Sequence, residues 1–309
     1  MPADARTGGD WRMISPVVRP RWGADLALAG IALIWGATFV LVKQALADVS
    51  TILFLALRFL LAAAALALAL RGRYAGFLER PKALAGGVLA GLFLFSGYAF
   101  QTAGLRYTTP SKSAFITGLS IVLVPLVTSL VYRTAPRILE GLGVMVAAAG
   151  LALMTLEDLS VGLGYGDLLT VCCAVAFAVH IVAVGHCSRR FGFEGLSVVQ
   201  IASAAVFSLA TFWWMETPQV RWTAGLLVAL AVTGLLATAL AFTVQAWAQK
   251  HTTATRTALI FALEPVFAWA TSYIVAGETL SNRAVTGAIL ILAGIVLVEL
   301  KPLSGGEHP

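Results

Sequence analysis

YTTPSKSAFI (107–116) is written a second time as HTTATRTALI (251–260). Each copy runs aromatic or His, Thr-Thr, Pro or a small residue, hydroxyl, cation, hydroxyl, Ala. The offset is 144 residues. Sliding outward without a gap pairs 101–156 with 245–300, and 13 of the 56 positions are identical, among them Gln101/Gln245, Thr108/Thr252, Gly143/Gly287 and Gly150/Gly294. Arg106/Lys250 and Lys112/Arg256 keep their charge. Upstream the offset becomes 142: GADLALAG (23–30) faces YGDLLTVC (165–172), and Arg58 faces Gln200. An ungapped register that carries matched polar residues reads as an internal duplication.

What is duplicated follows from composition. The chain is 59% hydrophobic and 12% charged over 309 residues, with mean hydropathy +0.89. A soluble domain carries about a quarter charged residues, and a water-soluble core of this length has too little interior for so much apolar surface. Hydrocarbon is the solvent that fits. A helix crosses it in about 20 residues, and ten such apolar runs are expected, at 24–42, 51–70, 83–103, 110–131, 138–156, 167–186, 196–215, 222–245, 257–276 and 284–300. They are continuous, whereas barrel strands alternate polarity over about ten residues. The expected fold is therefore an all-α membrane bundle of ten helices.

The net charge of +6 is explained by topology. With the N-terminus placed in the cytoplasm, 15 of the 21 Lys and Arg fall in cytoplasmic segments and five outside, and Arg58 lies within the second run. That follows the positive-inside tendency, and no nucleic-acid partner is implied. Residues 1–23, with Asp4, Asp10 and two mid-segment prolines, lack the apolar stretch of a signal peptide and read as a cytoplasmic tail, as do 301–309. Cys172, Cys173 and Cys187 imply no disulfide framework.

Five runs lie in each copy (24–156 and 166–300, joined by 157–165). An odd number forces the second copy into the membrane with the opposite orientation. Two similar, oppositely oriented halves have two nearly equivalent packings, one open to each side, which is the logic of a secondary transporter with its substrate site at mid-membrane. LIWGATFVLVK (33–43), FLALRFLLAA (54–63), GLRYTTPSKSAFITGLSIVLVPL (104–126), TATRTALIFALEPVFAWATSYIVAGETL (253–280) and GAILILAGIVLVEL (287–300) together resemble the EamA branch of the drug/metabolite transporter superfamily. The resemblance runs from about residue 25 to 300. It implies inverted five-helix repeats, export or exchange of small metabolites such as amino acids at the bacterial inner membrane, and a central cavity from runs 1, 3, 4, 6, 8 and 9. The pattern departs at YRTAPR (132–137), which stands in place of a turn such as Gly277-Glu278.

Polar groups in hydrocarbon need a partner or a task. Tyr98, Gln101 and Thr102 share a helical face, and Phe242 and Gln245 repeat it; Trp35 and Thr38 face Phe177 and His180 in the register of 142. These nine are the candidate substrate-cavity residues, against the alternative that they glue helix to helix. Glu264 is a candidate proton-coupling or substrate-amine carboxylate; the competing role is a structural acid bonded to hydroxyls or to Arg58. Arg58 itself is read as structural: its head snorkels to the outer surface, or it pairs with an acid or with carbonyl groups and fixes the packing of its half. Pro125 and Pro265 are candidate hinges. His180, His186 and the cysteines offer no tetrahedral spacing, and no cofactor is expected.

The expected partners are a small-molecule substrate, protons through Glu264, and membrane lipid. No phosphate-binding loop of the G-x-x-x-x-G-K-[ST] kind is present, so ATP hydrolysis is not the energy source. A channel-like facilitator, or a membrane-embedded enzyme, are the competing classes. The first requires a ring of filter groups and the second a convergent nucleophile, base or metal.

Overall fold

A backbone in hydrocarbon must pair its own N–H and C=O groups, and the described residues do so mainly with helices. The computed structural model describes residues 22–108, 110–133, 135, 137–155, 164–267 and 281–299. The expected tails and most of the connecting segment 157–165 lie outside these residues. So do Gly277-Glu278 and the ninth apolar run beyond 267.

The helices are α1 (Trp22–Ala45), α2 (Thr51–Ala69), α3 (Ala75–Leu78), α4 (Pro81–Leu105), α5 (Pro110–Gly118), α6 (Ser120–Tyr132), α7 (Ile138–Thr155), α8 (Tyr165–Phe191), α9 (Phe193–Met215), α10 (Ala224–Ala231), α11 (Ala241–Gln249), α12 (Ala254–Phe261) and α13 (Asn282–Glu299), with a π-helical segment Val232–Leu240 between α10 and α11. Among the described residues, seven helical segments are long and apolar enough to cross a membrane. Shorter apolar stretches, Ile138–Leu153 and Val285–Leu297, lie over the runs expected at 138–156 and 284–300.

Packing pairs one half of the sequence with the other: α2 runs along α9, α4 along α8, and α7 along α13. The last pair approaches closely enough to require glycine. A Cβ on Gly150 would stand 2.5 Å from the Gly287 carbonyl oxygen, and one on Gly294 would stand 2.5 Å from that of Gly143. The offset of 144 exchanges these two contacts, so the helices meet about a local two-fold relation.

The repeated phrases open matching helices. Thr253 caps α12, its hydroxyl accepting from Arg256 N–H at 3.2 Å. Arg256 then reaches Asp25 at the start of α1, its Nε donating to Oδ1 at 2.9 Å. In the other copy Thr108 donates to Asp167 at the start of α8, 2.8 Å away. Asp25 and Asp167 are themselves register partners, so each phrase engages the acid of the opposite half.

At the far end of α1, Asp48 binds Arg221 and Thr223, Val49 and Val220 form an isolated antiparallel bridge, and Glu216 accepts the Leu53 N–H at 2.8 Å. Lys43 donates to the carbonyls of Leu105 and Thr108, closing the C-terminal end of α4. Trp213, Trp214 and Trp222 stand exposed at the end of α9 and just before α10, a placement that suits an interfacial belt of aromatic residues.

Candidate functional site

The interior is cut by breaks in the helices opened by the repeated phrase. α5 gives way to α6 at Leu119, and α12 ends in a turn at 262–263 before helix resumes at 264–267. Leu119 and Leu263 are register partners, so the two breaks coincide. Pro265 follows its break directly. Pro125 lies buried inside α6, so the interruption expected there falls at Leu119, six residues earlier. The broken turns expose Thr117, Gly118 and Ser120 on one side and Ala262 and Glu264 on the other, all facing one cavity.

That cavity takes Trp35 and Thr38 from α1, Tyr98, Gln101 and Thr102 from α4, Phe177 and His180 from α8, and Phe242 and Gln245 from α11. All nine candidate positions and Glu264 therefore line a single space. Its volume is about 80 Å³, room for a handful of waters.

Aromatic rings dominate the walls. Trp35 lies 5.3 Å from Phe242 and 4.8 Å from Phe261, and Tyr98 lies 5.2 Å from Phe177 and 6.0 Å from Phe242. These tilted and edge-on contacts are the favoured geometries of aromatic pairs.

The polar groups are held in place by neighbours. Trp35 Nε1 donates to the Ala237 carbonyl at 2.9 Å, and Thr38 returns its hydroxyl to the Trp35 carbonyl. Gln101 donates to Thr117 at 3.2 Å. His180 Nε2 and Gln200 Oε1 share a hydrogen bond of 2.9 Å. Gln245 donates to Gln249 at 3.0 Å, and Gln249 to the Ile181 carbonyl at 2.9 Å. Gln245 Oε1 is buried with no partner among the described residues, which leaves an acceptor in the cavity wall.

Arg58 takes the internal one of its two expected placements. It is 3% exposed and its head points inward to the cavity. Nε donates to Thr238 Oγ1 at 2.7 Å, Nη2 donates to the Tyr98 hydroxyl at 3.1 Å and toward the Ala237 carbonyl at 3.4 Å, and Cζ stands 4.2 Å over the Tyr98 ring. Its head is taken up by these acceptors inside the bundle and does not snorkel. The matched polar pair Arg58/Gln200 was the signal in the sequence: in both halves that position faces the interior. Sequence reasoning missed Phe261 and the π segment that supplies Thr238 and Ala237.

A broader groove of about 980 Å³ lies at the Asp48 end, between 46–52, the outer face of α4 and 215–221. Its cations are engaged there, Arg106 by Thr51 and the Val49 carbonyl and Arg221 by Asp48.

The EamA-like transporter family matches this sequence twice, at residues 22–156 and again at 164–300. The chain belongs to that family. An uncharacterized transporter of Archaeoglobus fulgidus is 35% identical over 279 residues, covering 90% of this chain and 86% of the relative. The uncharacterized transporter YoaV of Bacillus subtilis is 22% identical over 88% of this chain and 95% of its own. A protein of known crystal structure, 20% identical, superposes with a TM-score of 0.74 over 90% of this chain and 97% of the other; that likeness concerns the fold alone. This EamA-family chain is thus a multi-pass membrane transporter.

Proposed function

We propose that this transporter is a secondary carrier of the bacterial inner membrane that exports or exchanges small amphipathic metabolites, amino acids foremost, by alternating access. The two matched segments, 24–156 and 166–300, act as inverted five-helix repeats of a ten-helix bundle with both termini in the cytoplasm. The observation that carries the reading is the single cavity where α1, α4, α8 and α11 place register-matched aromatic and polar side chains beside the broken helices. A cavity of mixed rings, amides and one residue of each charge suits a ligand with an apolar body and polar ends. Its small volume fits a contracted state between two open ones.

Counterflow in proteoliposomes tests this. Trans-substrate should accelerate uptake of a labelled amino acid; flux without such acceleration means a channel. Glu264 lines the cavity with no hydrogen-bond partner among the described residues, and is proposed as the coupling carboxylate. Glu264→Gln should abolish the response to an imposed pH gradient while substrate-for-substrate exchange continues. A variant that still answers the gradient removes Glu264 from coupling.

A further inference from the structure

A guanidinium carries five N–H donors, and Arg58 uses three of them. Nε is taken by Thr238 and Nη2 by Tyr98 and the Ala237 carbonyl. Nη1 has no partner among the described residues, on a side chain that is 3% exposed and lines the cavity. Every group that holds Arg58 is neutral. The ion pairs among the described residues are Arg221–Asp48 and Arg256–Asp25, and Glu264, on the same cavity, lies beyond ion-pairing distance of Arg58. A buried charge without a counterion is expensive, so its persistence calls for one that arrives from outside the chain.

The holding groups are themselves fixed. Thr238 donates its hydroxyl to the Thr233 carbonyl at 2.7 Å, five residues back, a π-helical spacing that turns its oxygen toward Arg58. The Ala237 carbonyl receives both Trp35 Nε1 and Arg58. Short π-helical departures recur at functional sites, and here one orients a cation.

We propose that Arg58 is the anion-recognition residue of the cavity, and that the transported molecule carries a carboxylate received by the free Nη1 edge while its apolar body lies against Trp35, Phe177 and Phe242. This rests on the transporter reading above. A carboxylate fits better than a phosphate. Arg58 is the sole Lys or Arg among the described lining residues, whereas phosphate groups favour several cations, and Glu264 on the same wall disfavours a dianion.

The experiment uses the purified full-length protein in detergent, with matched acid and amide probes: phenylalanine and phenylalaninamide, leucine and leucinamide, phenylacetate and phenylacetamide. Thermal stabilisation and quenching of tryptophan fluorescence report binding. At least one acid should bind ten- to hundredfold more tightly than its amide, the discrimination expected of a charge-assisted hydrogen bond. Arg58→Gln should erase the preference and Arg58→Lys keep part of it. The preference of the unmutated protein needs no variant, so a misfolded substitution does not stall the test. Amides that bind as well as acids, a preference that survives Arg58→Gln, or no acid that binds at all overturns the proposal. Counterflow measured separately leaves the transporter reading to stand or fall alone.

Discussion

The two matched halves meet the same cavity with different chemistry. In the first, α2 presents Arg58, which reaches across to Thr238 and Ala237 of the second half and to Tyr98 on α4. In the second, α9 places the fully buried Gln200 behind the wall, where it bonds the lining residue His180 within its own half. Tyr98 has a hydroxyl for the cation to use; its register partner Phe242 has none. The helices differ as well. α4 is regular from Pro81 to Leu105, whereas its counterpart passes through nine π-helical residues, Val232–Leu240. A π turn takes up about one residue more than an α turn, and the offset between halves grows from 142 to 144 across the stretch that holds this segment. The two halves thus share a frame, and a few differing residues set a cation, Arg58, at the position where the second half carries the neutral Gln200.

The frame is where the largest effects should fall. Gly150→Val and Gly294→Val each drive a Cβ into a backbone carbonyl 2.5 Å away, which no rotamer change relieves. Both should cost at least about 1–3 kcal/mol, in the range of overpacked interiors, read as loss of monodisperse protein and a fall in Tm in detergent. If the halves are equivalent there, the two losses match. One tolerated and one lethal substitution breaks the two-fold relation of α7 and α13.

Much of the site was legible because a polar residue in an apolar helix is conspicuous. Tyr98, Gln101, His180 and Gln245 stood out by type, and the register said which positions share a wall. For Arg58 snorkelling and internal pairing both stay open in the sequence, because a position along α2 does not say which way the head turns. Residue type does not mark the π segment: Val232–Leu240 reads as ordinary apolar helix, and its one trace in the sequence is the growth of the offset across it. Proline drew the eye to 125, while the break at Leu119 is shared with Leu263, where no proline marks the first copy. Residues beyond 267 in the ninth run lie outside what the structure describes.

Arg58 and its register partner Gln200 predict unequal costs. Thr238→Val keeps the shape of the π segment and removes the acceptor of Arg58 Nε; a hydrogen bond to a charge contributes about 1.5–3 kcal/mol. Gln200→Leu removes the neutral bond to His180, for which about 0.5–1.5 kcal/mol is expected. Denaturation in mixed micelles should rank Thr238→Val as the more harmful. The reverse order shows that the cation is satisfied without the π segment, and the asymmetry between the halves then has no energetic content.

The smallest effect belongs to the connections. Asp48, between α1 and α2, ties to Arg221 of the other half; in the connection matched at offset 142, Arg189 donates to the carbonyls of Gln249 and Thr252 at 3.2 and 3.1 Å. An acid at one end of the bundle thus joins the two halves, whereas the cation near the matched connection ties elements of its own half together. The Asp48 carboxyl is held below its ordinary value, first by the hydrogen bond from Thr223 and then by Arg221. A carboxylate depressed on folding adds stability at pH values above its unfolded range, and that contribution is lost as pH falls through the folded value. Asp48→Asn should therefore lower Tm slightly at neutral pH, less at high salt because the Arg221 side chain is 75% exposed, and the gap to the unmutated protein should close on acidification through the carboxylate range. A gap that persists in acid assigns the effect to Thr223, whose oxygen also caps α10 through Leu226 N–H at 3.1 Å. The joint would then rest on a helix cap, with the charges on Asp48 and Arg221 contributing nothing measurable to it.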